Sequence, residues 1–242
     1  MLIVGLTGGI ACGKSTVSKE LKNKYNLFVI DADQVAREVV LPGRPAYQKI
    51  VDAFKNVPHL INEEDMSLNR AVLGQAVFSD KLKLNILNSI VHPAVKWEIA
   101  KQILKAYLSL CSVVILDVPL LFESQLHLVC GLVITVSTTA ESQVKRLLER
   151  NPELNREDAE NRIKSQMSNE ERNYKSDIVI DNSKSLQDLH KELQLVVPQI
   201  KPRKIWTLLD LFPPIAIASA LFTFVIRRIT EKFIAARQRK ID

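Results

Sequence analysis

The sequence predicts an α/β fold, a five-stranded parallel sheet flanked by helices, on three observations. Apolar runs with strand character fall at residues 2–6, 27–31, 112–118, 131–137 and 177–181, and helical patterns separate them. A glycine-rich stretch, "GGIACGKS", joins the first run to a helix-like "STVSKELKNKY". Asp31, Asp33 and Asp117 fall at the ends of later runs, the edge where a parallel sheet collects its ligands.

Gly8 to Ser15 fits G-x-x-x-x-G-K-[ST] in the strand–loop–helix context that this motif requires. Gly8, Gly9 and Gly13 let the backbone curl so that N–H groups converge on phosphate oxygens. Ile10, Ala11 and Cys12 complete the loop, and Thr16 follows it into a helix whose positive end favours an anion. Lys14 is expected to bridge the β- and γ-phosphates of ATP, and the Ser15 hydroxyl to hold Mg²⁺. Cys12 reads as a small loop residue, with a redox role as the alternative. Kinases, GTPases and motor or regulatory ATPases share this loop. No N-K-x-D occurs, and Asp117-Val-Pro-Leu lacks the glycine of D-x-x-G three residues after the aspartate, so a GTPase is set aside. The expectation is a P-loop kinase fold.

In "FVIDADQVAR", Phe28 to Ile30 read as a buried strand, and strand alternation would point Asp31 and Asp33 to one side. Carboxylates at that edge can take a substrate hydroxyl's proton or hold Mg²⁺, and the positive field of Lys14 and the metal offsets their repulsion. For Asp31 a capping or turn role is the competing reading.

Residues 42–108 show no strand pattern. The stretch from Leu73 to Leu108 has helical spacing, interrupted at His92-Pro93, so the expectation is a helical, substrate-binding insert between the second and third strands. Residues 139–172 are the most charged stretch and read as a helical lid, with Arg146 and Arg150 on one face. Thr138 with Glu141 looks like a capping box, Asn151-Pro152 ends that helix and Asn155 caps the next. A solvated amphipathic hairpin is the alternative for this stretch. The core then comprises residues 1–41 and 109–200.

Apolar residues make up 47% and charged residues 25% of the 242, an ordinary globular mixture. The net charge of +6 lies entirely in residues 201–242, where Lys201, Arg203, Lys204, Arg227, Arg228, Lys232, Arg237, Arg239 and Lys240 face only Asp210, Glu231 and Asp242. Residues 1–200 are neutral, which removes the support for nucleic acid as a partner. Three cysteines without metal-ligand spacing suit a reducing compartment, and "MLIVGLTGG" leads straight into the first strand with no signal or transit pattern.

The chain resembles the dephospho-CoA kinase family through "GLTGGIACGKST", "DADQVAREVV", "PGRPAY", "LNRAVLGQAVF", "HPAV", "LDVPLLFE", "QVKRLLERN" and "IDNSKSLQDL", in order over residues 1–200. The P-loop is generic; D-A-D-x-x-x-R followed by H-P and V-P-L-L-F-E is specific. The resemblance implies transfer of the ATP γ-phosphoryl group to the ribose 3′-hydroxyl of dephospho-CoA. It makes Asp33 the base and Arg146 the lid arginine nearest the transferring group, beside Lys14. Asp31, Arg37, Arg70, His92, Pro119 and Glu123 would serve the acceptor side, and Ser15 with Asp117 the metal. Asn182 would border adenine, although "DNSKS" departs from the N-x-G of many members. His92 has a structural reading as the residue before a helix-starting proline. Other enzymes of coenzyme A synthesis are expected partners. Two other readings stay open: another small-molecule kinase, and a non-catalytic, membrane-tethered nucleotide-binding protein.

Bacterial members end near residue 200, so residues 201–242 are an addition. Ile205 to Ile226 carry a single charge, Asp210, over a length that could cross a bilayer, but Asp210 and Pro213-Pro214 oppose a plain span. An in-plane or half-inserted arrangement on an anionic membrane fits better, with Trp206 at the interface. The expected location is a cytoplasmic catalytic domain anchored to an organelle membrane, either endoplasmic reticulum or mitochondrial outer membrane. Packing of the tail on the core is the alternative.

Overall fold

The computed structural model describes residues 1–78, 80–202 and 212–238, the last seven by backbone alone. Trp206, Asp210, Arg203, Lys204, Arg239 and Lys240 therefore lie outside the described residues, as do the side chains of Lys232 and Arg237.

The strands are β1 (Leu2–Gly8), β2 (Phe28–Asp31), β3 (Val113–Asp117), β4 (Leu132–Ser137) and β5 (Ile178–Asp181), within a residue or two of the sequence expectation. They form one sheet in the order β2-β3-β1-β4-β5. β1 runs parallel to β3, from Leu2↔Val113 to Leu6↔Asp117, and to β4, from Val4↔Leu132 to Gly8↔Val136. β4 runs parallel to β5. A parallel sheet is covered on both faces, so its strands read as continuous apolar runs; β3 is buried at every position.

The helices are α1 (Lys14–Asn23), α2 (Ala32–Glu38), α3 (Pro45–Ala53), α4 (Arg70–Phe78), α5 (Lys81–Leu108), α6 (Ala140–Arg150), α7 (Arg156–Lys164), α8 (Asn169–Lys175), α9 (Leu186–Ile200) and α10 (Pro213–Gln238). Val17 and Leu21 of α1 and Leu189 and Leu193 of α9 pack on Val4, Leu6, Ile115 and Ile134 of the sheet. This burial fixes α1 on the end of β1, and with it the turn between them. The chain divides into two compact units, Met1–Val29 with Ala106–Asp242, and Ile30–Lys105. Those limits differ from the 41/42 and 108/109 borders drawn from sequence. The second unit has its own core around Tyr47, Ile50, Phe54, Leu60 and Leu73.

Four local expectations are corrected. Asp33 is not a strand residue: β2 stops at Asp31, whose carboxylate accepts the N–H groups of Asp33 at 2.9 Å and Gln34 at 3.0 Å and so starts α2. The two acids are neighbours through a helix cap, not through strand alternation. α5 is one 28-residue helix with Pro93 inside it, not two helices broken at His92-Pro93. Proline removes one helical donor, but Leu87, Ile90 and Val91 in the preceding turn pack on the unit's core and keep the helix continuous. The insert is helical apart from an isolated antiparallel bridge, Ile61↔Leu68. Finally, Thr139 rather than Thr138 caps α6, accepting from the Ser142 N–H at 3.2 Å. Thr138 instead donates its hydroxyl to the Asn182 carbonyl at 3.1 Å. Asn151 ends α6 and Asn155 caps α7, as the sequence indicated.

Candidate active site

The turn from β1 into α1 is shaped by two left-handed residues, Ala11 (φ 59°) and Gly13 (φ 90°), on either side of Cys12. The turn is closed by the Cys12 N–H on the Gly9 carbonyl at 3.1 Å, and such left-handed turns at the N-terminus of a helix make an anion-binding concavity. A Cβ on Gly13 would stand 2.1 Å from Asn182 Nδ2, and one on Gly9 only 2.9 Å from Gln143 Nε2 and 3.0 Å from Arg172 Nη1. Only glycine lets these neighbours approach so closely. Burial pushes the Cys12 thiol up, against the pull of the Arg172 charge, so at neutral pH Cys12 is a protonated loop residue rather than a reactive one.

Lys14 opens α1 and forms an ion pair with Asp117 at the end of β3. Ser15 is exposed in the first turn of α1. A lysine, a hydroxyl, a carboxylate and converging amides fit a magnesium–nucleotide. Among the described residues no three His, Cys, Asp or Glu side chains gather as a metal cage. Mg²⁺ at such sites uses few protein ligands together with phosphate oxygens, so Ser15 and Asp117 are a sufficient protein contribution.

Arg146, on α6, donates from Nη2 to the Asn182 carbonyl at 2.9 Å, and its Nη1 lies 3.8 Å from the Cβ position of Gly13. Asn182 is buried, and its side chain donates to the Cys12 carbonyl at 2.8 Å. The residue expected near adenine thus also holds the cradle's backbone. The Pro119 carbonyl accepts from the Thr7 hydroxyl at 2.8 Å, which ties the "LDVPLLFE" segment to β1.

The sequence reading did not single out Gln143, Gln166, Asn169 and Arg172. Gln143 Nε2 donates to the Ile10 carbonyl at 2.7 Å, and the Ile10 N–H donates to Gln166 Oε1 at 3.0 Å. Arg172 is 1% exposed, donating to Asn169 Oδ1 and to the Met167 carbonyl. Burial lowers its pKa, while the charges of Glu123 and Glu171 oppose that shift. The available signal was position: Gln143 lies one turn before Arg146 on the same helix. A count of charges draws attention to Arg150, Arg156 and Arg162 instead.

In the second unit, Asp33 stands exposed in the first turn of α2, and Arg37 near its last. Arg70, at the start of α4, reaches the Arg37 carbonyl at 3.5 Å, and His92 is exposed on α5.

The sequence profile of the dephospho-CoA kinase family matches residues 2–188. A Saccharomyces cerevisiae protein, dephospho-CoA kinase CAB5, is 49% identical over 233 residues, covering 96% of this chain and 96% of its own. A dephospho-CoA kinase of Carboxydothermus hydrogenoformans is 43% identical over 82% of this chain and 94% of its own. A solved dephospho-CoA kinase from Campylobacter jejuni superposes with a TM-score of 0.64 at 30% identity, over 82% of this chain and 96% of that one. With a cradle of this geometry on a five-stranded parallel sheet, and a match over most of its length, the chain belongs to the dephospho-CoA kinase family.

Proposed function

We propose that the chain moves the γ-phosphoryl group of ATP to the ribose 3′-hydroxyl of dephospho-CoA, giving coenzyme A, with Lys14, Asp33 and Arg146 in the catalytic roles. The observation that carries this reading is the cradle, where left-handed Ala11 and Gly13, the N-terminus of α1 and Lys14 converge on one anion site. Lys14 and the loop amides hold the β- and γ-phosphates, and Arg146 meets the charge that spreads over the transferring group. Asp33 takes the proton of the 3′-hydroxyl, a contribution of roughly 10²–10⁴-fold. Bound Mg²⁺, on Ser15 and Asp117, neutralises phosphate charge. Asn182 borders adenine. Asp31, Arg37, Arg70, His92, Pro119 and Glu123 serve the acceptor, residues 42–108 form its binding domain, and residues 139–172 act as the lid.

The tail is proposed to lie on an anionic membrane surface of the endoplasmic reticulum or outer mitochondrion, with the catalytic part facing the cytosol near other enzymes of coenzyme A synthesis. Its support is α10, whose Pro213–Glu231 stretch has a mean hydropathy of 1.3 and no buried share.

The reaction is tested by steady-state turnover with ATP and dephospho-CoA, beside Asp33→Asn. The expected result is efficient turnover for the wild type and a loss of about 10²-fold in kcat for the variant, with nucleotide affinity kept. Wild-type protein inert toward dephospho-CoA would overturn the reading, and near-normal turnover in Asp33→Asn would remove Asp33 from the base role.

A further inference from the structure

Ile10 is gripped through both of its main-chain groups, which belong to the two peptides flanking it. Its carbonyl accepts from Gln143 Nε2 on α6, and its N–H donates to Gln166 Oε1 in the turn after α7. Both amide orientations are forced, because a backbone N–H can meet only an acceptor and a backbone carbonyl only a donor. Gln143 is itself held: its Oε1 accepts from Asn169 Nδ2 at 2.7 Å, and that same amide nitrogen reaches the Thr138 carbonyl at 3.0 Å. Asn169 Oδ1 in turn accepts from buried Arg172 at 3.2 Å. The chain of bonds therefore runs from α8 through α6 to one peptide of the phosphate loop.

The next residue along that loop is Ala11, with φ at 59°. A residue with a Cβ stays left-handed only where its surroundings impose it. This turn, closed by the Cys12 N–H on the Gly9 carbonyl at 3.1 Å, leads straight into left-handed Gly13 and so sets where the N-terminus of α1 begins. The glutamines sit where the constraint has to be applied: Gln143 holds the peptide that enters the turn and Gln166 the one before it.

We infer that Gln143 and Gln166 are positioning residues for phosphoryl transfer: by fixing the two peptides that flank Ile10 they impose the left-handed turn at Ala11, so the phosphate cradle is set by the docking of residues 139–172. They touch no substrate in this role. Their effect reaches ATP through the loop backbone, and the inference rests on ATP being the donor.

The test uses the full chain, after wild-type turnover has been measured, with Gln166→Met and Gln143→Met, which keep bulk and remove the polar end. Each should lower kcat/KM for ATP by about 10- to 100-fold, while KM for dephospho-CoA stays within about twofold. Adding Ala11→Gly to Gln166→Met should recover more than half of the loss on a logarithmic scale, because glycine takes the left-handed turn without constraint. The double glutamine variant should be no worse than about twofold below the poorer single, since both act on the main chain of one residue. Kinetics of Gln166→Met within twofold of wild type overturn the inference. So does a lowered Tm with unchanged kinetics, or a loss that glycine at position 11 does not repair. Gln143 is nearly fully buried; if Gln143→Met does not fold, half-buried Gln166 with and without Ala11→Gly decides the matter alone.

Discussion

Arg146 donates to the Asn182 carbonyl from one nitrogen and stands over Gly13 with another, so its side chain is held before any phosphate arrives. A guanidinium fixed in place needs no reorganisation when charge develops, and its contribution then falls mainly on the transition state. Arg146→Ala is expected to lower kcat by about 10²-fold or more and to change either KM by less than about fivefold. Steady-state kinetics with both substrates varied reads this directly, and a change confined to the KM of dephospho-CoA would make Arg146 an acceptor-binding residue. At this scale the sequence was legible wherever a residue's task belongs to its own local motif. Lys14 and Gly13 declare themselves through spacing. Gln143 and Gln166 do not, because their role depends on a backbone atom 133 and 156 positions away. Asp33 was placed on the right segment but in the wrong conformation: the capping role weighed for Asp31 is the one the structure shows, and it ends the strand before Asp33.

Among the elements, strands were read to within two residues because a parallel sheet buries both faces and leaves an unbroken apolar record. Pro93 misled for the opposite reason: local propensity ends the helix there, and packing of the preceding turn, invisible in one dimension, overrides it. The short 3-10 helix at Leu126–Val129 supplies a pH effect. Its His127 is buried beside Phe122, with Nε2 3.5 Å from Glu231 of α10. Burial lowers its pKa below the ordinary 6.5 in spite of the Glu231 charge, so the folded state releases the proton before the unfolded state does. Between the folded value and 6.5 the unfolded chain binds more protons, and stability falls as pH drops through that window. The melting temperature should fall from about pH 7 to about pH 5.5, and by less in His127→Gln. Equal slopes in the two proteins would show that other groups set the acid sensitivity.

For the whole molecule, the question is what α10 does beside the catalytic part. Arg227 donates to the carbonyls of Cys130 at 3.1 Å and Gly131 at 3.0 Å and pairs with Asp177, whose carboxylate also accepts from the Val133 N–H. One turn on, Glu231 faces His127. That end of the helix is tied to the kinase part, while Ile217, Leu221, Phe222 and Val225 are exposed. Residues 213–226 span about 21 Å as a helix, and the proposed arrangement in the plane of an interface is the one that leaves Arg227 on the Cys130 and Gly131 carbonyls. Flotation with vesicles containing phosphatidylserine should carry the full chain upward and leave residues 1–200 at the bottom, less so at high salt. If both stay at the bottom, α10 is a packing element and the membrane proposal fails.

The placement of β1 between β3 and β4 sets a schedule for the ribosome. Leu2 pairs with Val113 and Val4 with Leu132, so β1 has no neighbour in the sheet until more than a hundred further residues have been added. At roughly 5–20 residues per second, "LIVGLTG" waits on the order of 5–20 s as an unpaired, sticky segment. Ile30–Lys105, contiguous and with a core of its own, can be compact by then. The sheet that carries the phosphate loop is thus completed only after the insert has been made.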